Sequence, residues 1–308
     1  MLIIFCADPL DPRQPDAMYA AEATAARAAG FERALMGYEA LVDDDDPARA
    51  VRGVTSRPDP TLALYRGWML RPSHYERLYA ALAARNVRLL NDPVAYRHAH
   101  YLPASYDVIA GHTPDTVWFE TGADVSMDRV MDALRLFGDQ AVIVKDFVKS
   151  RKHQWAEACY IPSAADRQGV ERVVRRFLQL QGPDLNEGLV FRLFVDLEPL
   201  TTHSRSGMPL AREHRVFYLD GRPLYAARYW DEGDYGGDEP PPDLFGDVAR
   251  AVRSRFFTMD VARQRDGRWT IIELGDGQVA GLPDSADAHA FYRAFRDHWP
   301  THSPGARG

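Results

Sequence analysis

Two carboxylates near the end of the chain stand where a buried sheet has no use for them. Glu273 closes the apolar run WTIIEL, just ahead of Gly275, Asp276 and Gly277, and Asp260 interrupts FFTMDVA. Between them lies Asp266-Gly267, a dipeptide suited to a two-residue hairpin turn whose central positions need positive φ. With those residues at the turn, Arg265 faces Arg268, and counting back along the ladder sets Asp260 opposite Glu273. Facing like charges about 5 Å apart at Cβ repel, and apolar flanks keep water from relieving them. A cation between them removes the conflict. Carboxylate oxygens suit a hard divalent ion, and Mg2+ takes one or two protein carboxylates and completes its shell with water and phosphate oxygens. A nucleoside triphosphate is then a natural third party, whereas a slipped register would leave an ordinary charged hairpin.

Cations recur in the same part of the chain. Asp220-Gly221 marks a second hairpin; the same counting sets Glu213 opposite Arg228 and leaves Arg215 on that face without a partner, placed to meet an anion. Lys145 ends the apolar strand QAVIVKD, and the loop after it carries Lys149, Ser150, Arg151 and Lys152, donors of the kind that bind phosphate. Arg192 interrupts the apolar strand GLVFRLFV. That strand's edge, at Val195, offers backbone groups to an adenine, and Glu198 just beyond it offers a carboxylate to ribose hydroxyls.

The elements that must hold these residues alternate strand and helix signals. Residues 1–110 read as an open α/β domain: the strand LIIFCA, a helical stretch from Met18 stopped by Gly30, and a helix whose Ser73 and Glu76 form a capping box. Residues 111–188 add a helix from Ser126, the strand with Lys145, and a helix carrying Val170, Val173, Val174, Phe177 and Leu178. Residues 189–308 hold the two hairpins, a helix near Asp243 to Arg253 and a closing helix from Asp284 to Trp299.

The bulk numbers exclude several classes. With 46% apolar and 26% charged residues among 308, the chain is neither disordered nor fibrous. No apolar run is long enough to span a bilayer, and no basic leader with a cleavage site opens the sequence. Two cysteines make no disulfide framework, so a reducing cytoplasm is the expected location. The net charge of −7 argues against general nucleic-acid binding.

In order, AVIVKD, GLVFRLFVDLEPL, EHRVFYLDGRPLYAARYW and FFTMDVARQRDGRWTIIELGDG resemble the motifs of the ATP-grasp superfamily over about residues 111 to 300. One inward Lys with two inward Arg, followed by Glu-Leu-Gly-Asp-Gly, resembles the clade named for two arginines and one lysine. The resemblance implies an α/β (α+β) ATP-grasp fold behind a Rossmann-like domain, with ATP and Mg2+ bound. By it, Lys145 and Arg215 meet phosphate, Glu198 holds the ribose, and Asp260 and Glu273 are the magnesium carboxylates. Arg192 is the second arginine, with Arg228 as competitor. Where many relatives have Asn two residues after the metal Glu, this chain has Gly275; either Asp276 takes that role, or a second magnesium is held differently. The implied activity is a ligase acting on a small-molecule or peptide substrate with a carboxylate. The alternatives are a phosphotransferase on the same fold and a silent nucleotide-binding protein. Arg66, His203 and Arg205 are candidates for acceptor recognition.

Overall fold

The structure, a computed structural model, describes residues 1–204, 207–237 and 239–299. A first sheet is all parallel in the order β2-β1-β3-β4, with β1 Leu2–Cys6, β2 Glu32–Met36, β3 Thr61–Arg66 and β4 Val87–Leu89. Every residue of β1 is buried, as its unbroken apolar run requires when helices cover both faces. Ile4 and Cys6 face Tyr75 and Leu78 of the helix Pro72–Ala83, while Ile3 and Phe5 face the helix Ala20–Ala28 and, from the far end of the chain, Phe291 and Phe295. The expected capping box is not made: Pro72 takes the first helical position and Arg71 the cap, so Ser73 falls inside the first turn.

A second sheet has the order β5-β8-β6-β7, with β5 Thr116–Glu120, β6 Val142–Lys145, β7 Tyr160–Ile161 and β8 Gly188–Leu193. Val142, Val144, Leu189 and Phe191 bury one face under the helices Met127–Leu134 and Arg167–Gln181. Strand alternation therefore turns Lys145, Val190 and Arg192 to the other face. A boundary at residue 188 assigns β8 to the last segment, but β8 is bonded to β5 and β6 and belongs to this sheet.

After the short β9 Pro199–Thr202 and β10 Pro209–Ala211, a third sheet runs antiparallel as β12-β11-β13-β14, with β11 Glu213–Leu219, β12 Arg222–Arg228, β13 Phe256–Arg263 and β14 Trp269–Asp276. Val216, Tyr218, Phe257, Met259 and Leu274 pack on Ala99, Leu102 and Ile109. On the opposite face Phe217, Leu219 and Phe256 meet the helix Ala288–Asp297, and Arg215, Asp260 and Glu273 lie further along. Among the described residues no helix is long and apolar enough to cross a membrane.

Arg66 is fully buried at the seam between the first and third sheets, and its position does not suit acceptor recognition. Its Nε and Nη2 donate to the Glu22 carboxylate at 2.9 and 2.8 Å, its Nη1 donates to the carbonyls of Gly277 and Ala280, and Tyr292 Oη donates to Glu22 at 2.7 Å. Removing the guanidinium strands a carboxylate in a low-dielectric interior. Arg66→Met is expected to cost about 3–5 kcal/mol of stability, read from urea unfolding.

Candidate active site

Asp260 does lie opposite Glu273, although the ladder reaches that register in two steps. The turn is longer than two residues: Gln264 N–H donates to Arg268 O and Gly267 N–H to Gln264 O, with Gly267 at φ 86°, so Arg265 does not face Arg268. This slips the ladder by one residue, pairing Val261 with Ile271. A bulge at Ile272 slips it back, and the carboxylates end up opposed. In the other hairpin the Asp220-Gly221 turn forms as expected, with both residues at positive φ. A bulge between Phe217 and Tyr218 then sets Arg228 opposite His214 rather than Glu213. Arg228 is exposed and lies over the Tyr235 ring at 5.3 Å, away from the carboxylates.

Each carboxylate already has a cation. Lys145 Nζ donates to Glu273 Oε2 at 2.8 Å, linking the second sheet to the third. Arg215, cross-strand from Asp260, grips it with Nε and Nη2 at 2.8 and 2.7 Å and donates from Nη1 to Gly281 O at 3.1 Å. Burial raises the Glu273 carboxyl, but Lys145, Lys152 and Arg215 outweigh it and hold the group down at about 2. Burial raises Asp260 above its usual range against the pull of Arg215. Glu213, on the same sheet face, is 5% exposed, and its Oε1 has no hydrogen-bond partner among the described residues. Burial pushes it up to about 7, with Asp260 and Glu273 adding to the rise.

The loop after β6 completes this charge cluster. Lys152 lies over the rings of Tyr229 and Trp230 at 5.4 and 5.8 Å. Tyr229 and, beyond it, the carboxylates of Glu213, Glu273 and Asp260 keep its ammonium firmly charged despite burial. Sequence spacing does not distinguish Lys152 from its loop neighbours, because only the fold decides which one turns inward. Lys149 is exposed; its N–H joins that of Val148 on the buried carboxylate of Asp146, which shapes the turn after Lys145.

The remaining candidates divide by position. Arg192 is buried and donates to Ile272 O, the carbonyl at the bulge, and to Thr113 Oγ1, so it ties the second sheet to the third. Burial lowers its guanidinium to about 10, against the attraction of Glu273. In the connection that follows β8, Glu198 sits between Arg212 and Arg263, with its N–H on Arg263 O, and no backbone hydrogen bond among the described residues engages Val195. Asp276 falls on the opposite sheet face from Glu273: it accepts from Asn91 Nδ2, Gln278 N and Gln278 Nε2, anchoring β14 to the first sheet. That placement takes it out of the metal-carboxylate pair. His203 lies 3.7 Å from the Glu232 carboxylate, and Arg205 lies outside the described residues.

Lys145, Arg215, Asp260 and Glu273 line one cleft together with Met69, His100 and Leu102. Its free volume is about 70 Å3, below the roughly 300 Å3 or more of pockets that bury a small-molecule ligand. Two opposed carboxylates are donors of the kind that Mg2+ takes, here engaged by Arg215 and Lys145.

The three-sheet fold is shared with solved proteins of the ATP-grasp superfamily. The chain belongs to that superfamily: the sequence profile of the ATP-grasp domain of the clade named for two arginines and one lysine, family 3, matches residues 136–295, just over half its length. Among solved structures the fold resembles a RimK domain ATP-grasp protein from Sphaerobacter thermophilus (TM-score 0.58, 14% identity, covering 96% of this chain and 98% of that one). It also resembles the ATP-grasp ligase PsnB complexed with minimal precursor, Mg and ADP (0.56, 14%, 96% and 97%). A third likeness is to the D-alanine–D-alanine ligase of Bacillus anthracis complexed with ATP (0.55, 11%, 96% and 94%). No curated protein matches the chain in sequence.

A group whose folded value lies below its unfolded one stabilises the fold above the unfolded value and stops doing so as pH falls through the folded one. For Glu273 that window runs from 4.5 down to about 2. Glu273→Gln is therefore expected to be less stable than the parent at neutral pH, with the difference closing as acidification crosses that window. Urea midpoints measured against pH check it.

Proposed function

We propose that the chain is an ATP- and Mg2+-dependent ligase that activates a carboxylate as an acyl phosphate for attack by an amine. The observation that carries this reading is the opposed pair of buried Asp260 and half-buried Glu273, each matched to a cation from a different strand. The site offers charge neutralisation and alignment, which is what phosphoryl transfer needs. Neither cysteine suits a covalent alternative: Cys6 and Cys159 are buried, and burial pushes both thiols up to about 11. The ligase names carried by PsnB and by the D-alanine–D-alanine enzyme support the same class of reaction.

In this reading Asp260 and Glu273 hold Mg2+, which neutralises phosphate charge and fixes the triphosphate. Lys145 and Arg215 release their carboxylates and turn to phosphate oxygens, Lys152 and Lys149 approach from the covering loop, and Arg192 keeps the two sheets in register. The free backbone at Val195 meets the purine, and Glu198 meets the ribose. A substrate carboxylate oxygen attacks the γ-phosphorus, and ADP departs with the electrons of the broken P–O bond. An amine then displaces phosphate from the acyl carbon. Residues 1–110, 111–193 and 194–308 form the three working segments.

The test is ADP release with Mg2+, ATP and a pooled library of amino acids, dipeptides and small carboxylic acids, with products identified by mass spectrometry. An amide product is expected, and Asp260→Asn or Glu273→Gln should lower turnover about 10²-fold or more. A phosphorylated product without an amide would replace the ligase with a phosphotransferase. ATP binding without turnover in any mixture would leave only a nucleotide-binding protein.

A further inference from the structure

His100 closes the helix Pro93–His100 and is only 8% exposed, with its ring wedged 5.1 Å from Tyr96 and 5.7 Å from Tyr101. Tyr96 is itself stacked on Tyr75 at 3.9 Å, so the aromatic column fixes the orientation of the imidazole. The residue lines the cleft that holds Lys145, Arg215, Asp260 and Glu273. Among the described residues no protein group hydrogen-bonds to either ring nitrogen. Two positions earlier on the same helix, His98 differs in that its Nδ1 meets a protein group, Ala104 O at 2.8 Å. With no protein partner among the described residues, the ring nitrogens are left to whatever occupies the cleft, water or a ligand.

The chemistry of the cleft narrows that ligand. Lys145 and Arg215 are donors only, and the carboxylates are needed for the metal. Burial, then the charges of Lys149 and Lys145, push the His100 imidazole down to about 3 against Glu273, so it is neutral and presents one donor and one acceptor. Met69, Leu102 and Phe147 add apolar wall around it. A neutral acceptor held rigidly beside the phosphate-binding cations, in a partly apolar chamber, suits the N–H of an uncharged amine.

We propose that His100 orients the amine nucleophile, accepting a hydrogen bond from it so that the nitrogen lone pair points at the acyl carbon. This rests on the acyl-phosphate reading above. The amine nitrogen forms the C–N bond, the bond from the acyl carbon to the phosphate oxygen breaks with its electrons going to phosphate, and the departing phosphate takes the surplus amine proton. His100 stays neutral throughout.

The two half-reactions separate the idea from its rivals. Hydroxylamine, small and strongly nucleophilic, traps an acyl phosphate without being oriented. With the pooled library, His100→Leu is expected to form amide about 10²-fold more slowly while yielding hydroxamate at close to the parent rate. His100→Gln, which keeps an acceptor, should recover part of the amide yield. Stabilisation of each variant by Mg2+ and ATP shows that it is folded. Amide and hydroxamate falling together in His100→Leu, as a contact to phosphate would cause, overturns the assignment, and so does an unchanged amide rate. If the parent protein yields no hydroxamate from any carboxylate, the ligase reading itself fails and the proposal goes with it.

Discussion

Two carboxylates opposed on a buried sheet are the constraint from which the rest of the site follows. Asp260 and Glu273 stay ionised only if positive charge is delivered to them inside the protein, and the fold delivers it from two directions. Arg215 comes from the neighbouring strand of the same sheet, and Lys145 from a different sheet. The Lys145–Glu273 contact is therefore both electrostatic neutralisation and a strut across the cleft.

The surrounding architecture serves that contact. Arg192 reaches from β8 to the carbonyl that the bulge at Ile272 presents, and Asp276 fastens the end of β14 to Asn91. Arg66 and Glu22 join the first sheet to the turn after β14 and to the last helix. These charged or polar groups sit in sequence motifs that look functional, yet their partners show them holding elements in place. A larger open groove of about 720 Å3, beside the Arg97–Glu187 ion pair, contains none of the paired carboxylates, so size alone is no guide to the chemistry here.

Much of the site was legible because strand alternation and hairpin counting are local rules. They put Arg215 on the carboxylates' face and turned Lys145 out of the apolar run that ends with it; counting also set Asp260 against Glu273, though only because the longer turn and the bulge at Ile272 cancel. The same rules failed for Arg228, because a bulge that leaves no mark in residue type moved its partner by one position. They were not at fault for Asp276, which stands three residues after Glu273 and so faces the other way by simple alternation; its metal role came only from the resemblance.

The sequence by itself determined the strand and helix order, the membership of the ATP-grasp superfamily, and the opposed carboxylates with the cations nearest to them along the strands. These depend on periodicity and turn chemistry, which act over a few residues, although the opposed carboxylates also needed the bulge at Ile272 to restore the register. Only the tertiary structure decided that Lys145 reaches Glu273, that Lys152 turns inward while Lys149 does not, and that His100 lines the cleft with its ring nitrogens unpartnered among the described residues. Those outcomes depend on how three sheets stack, and side chains more than a hundred residues apart meet only when burial of the apolar faces brings their layers together.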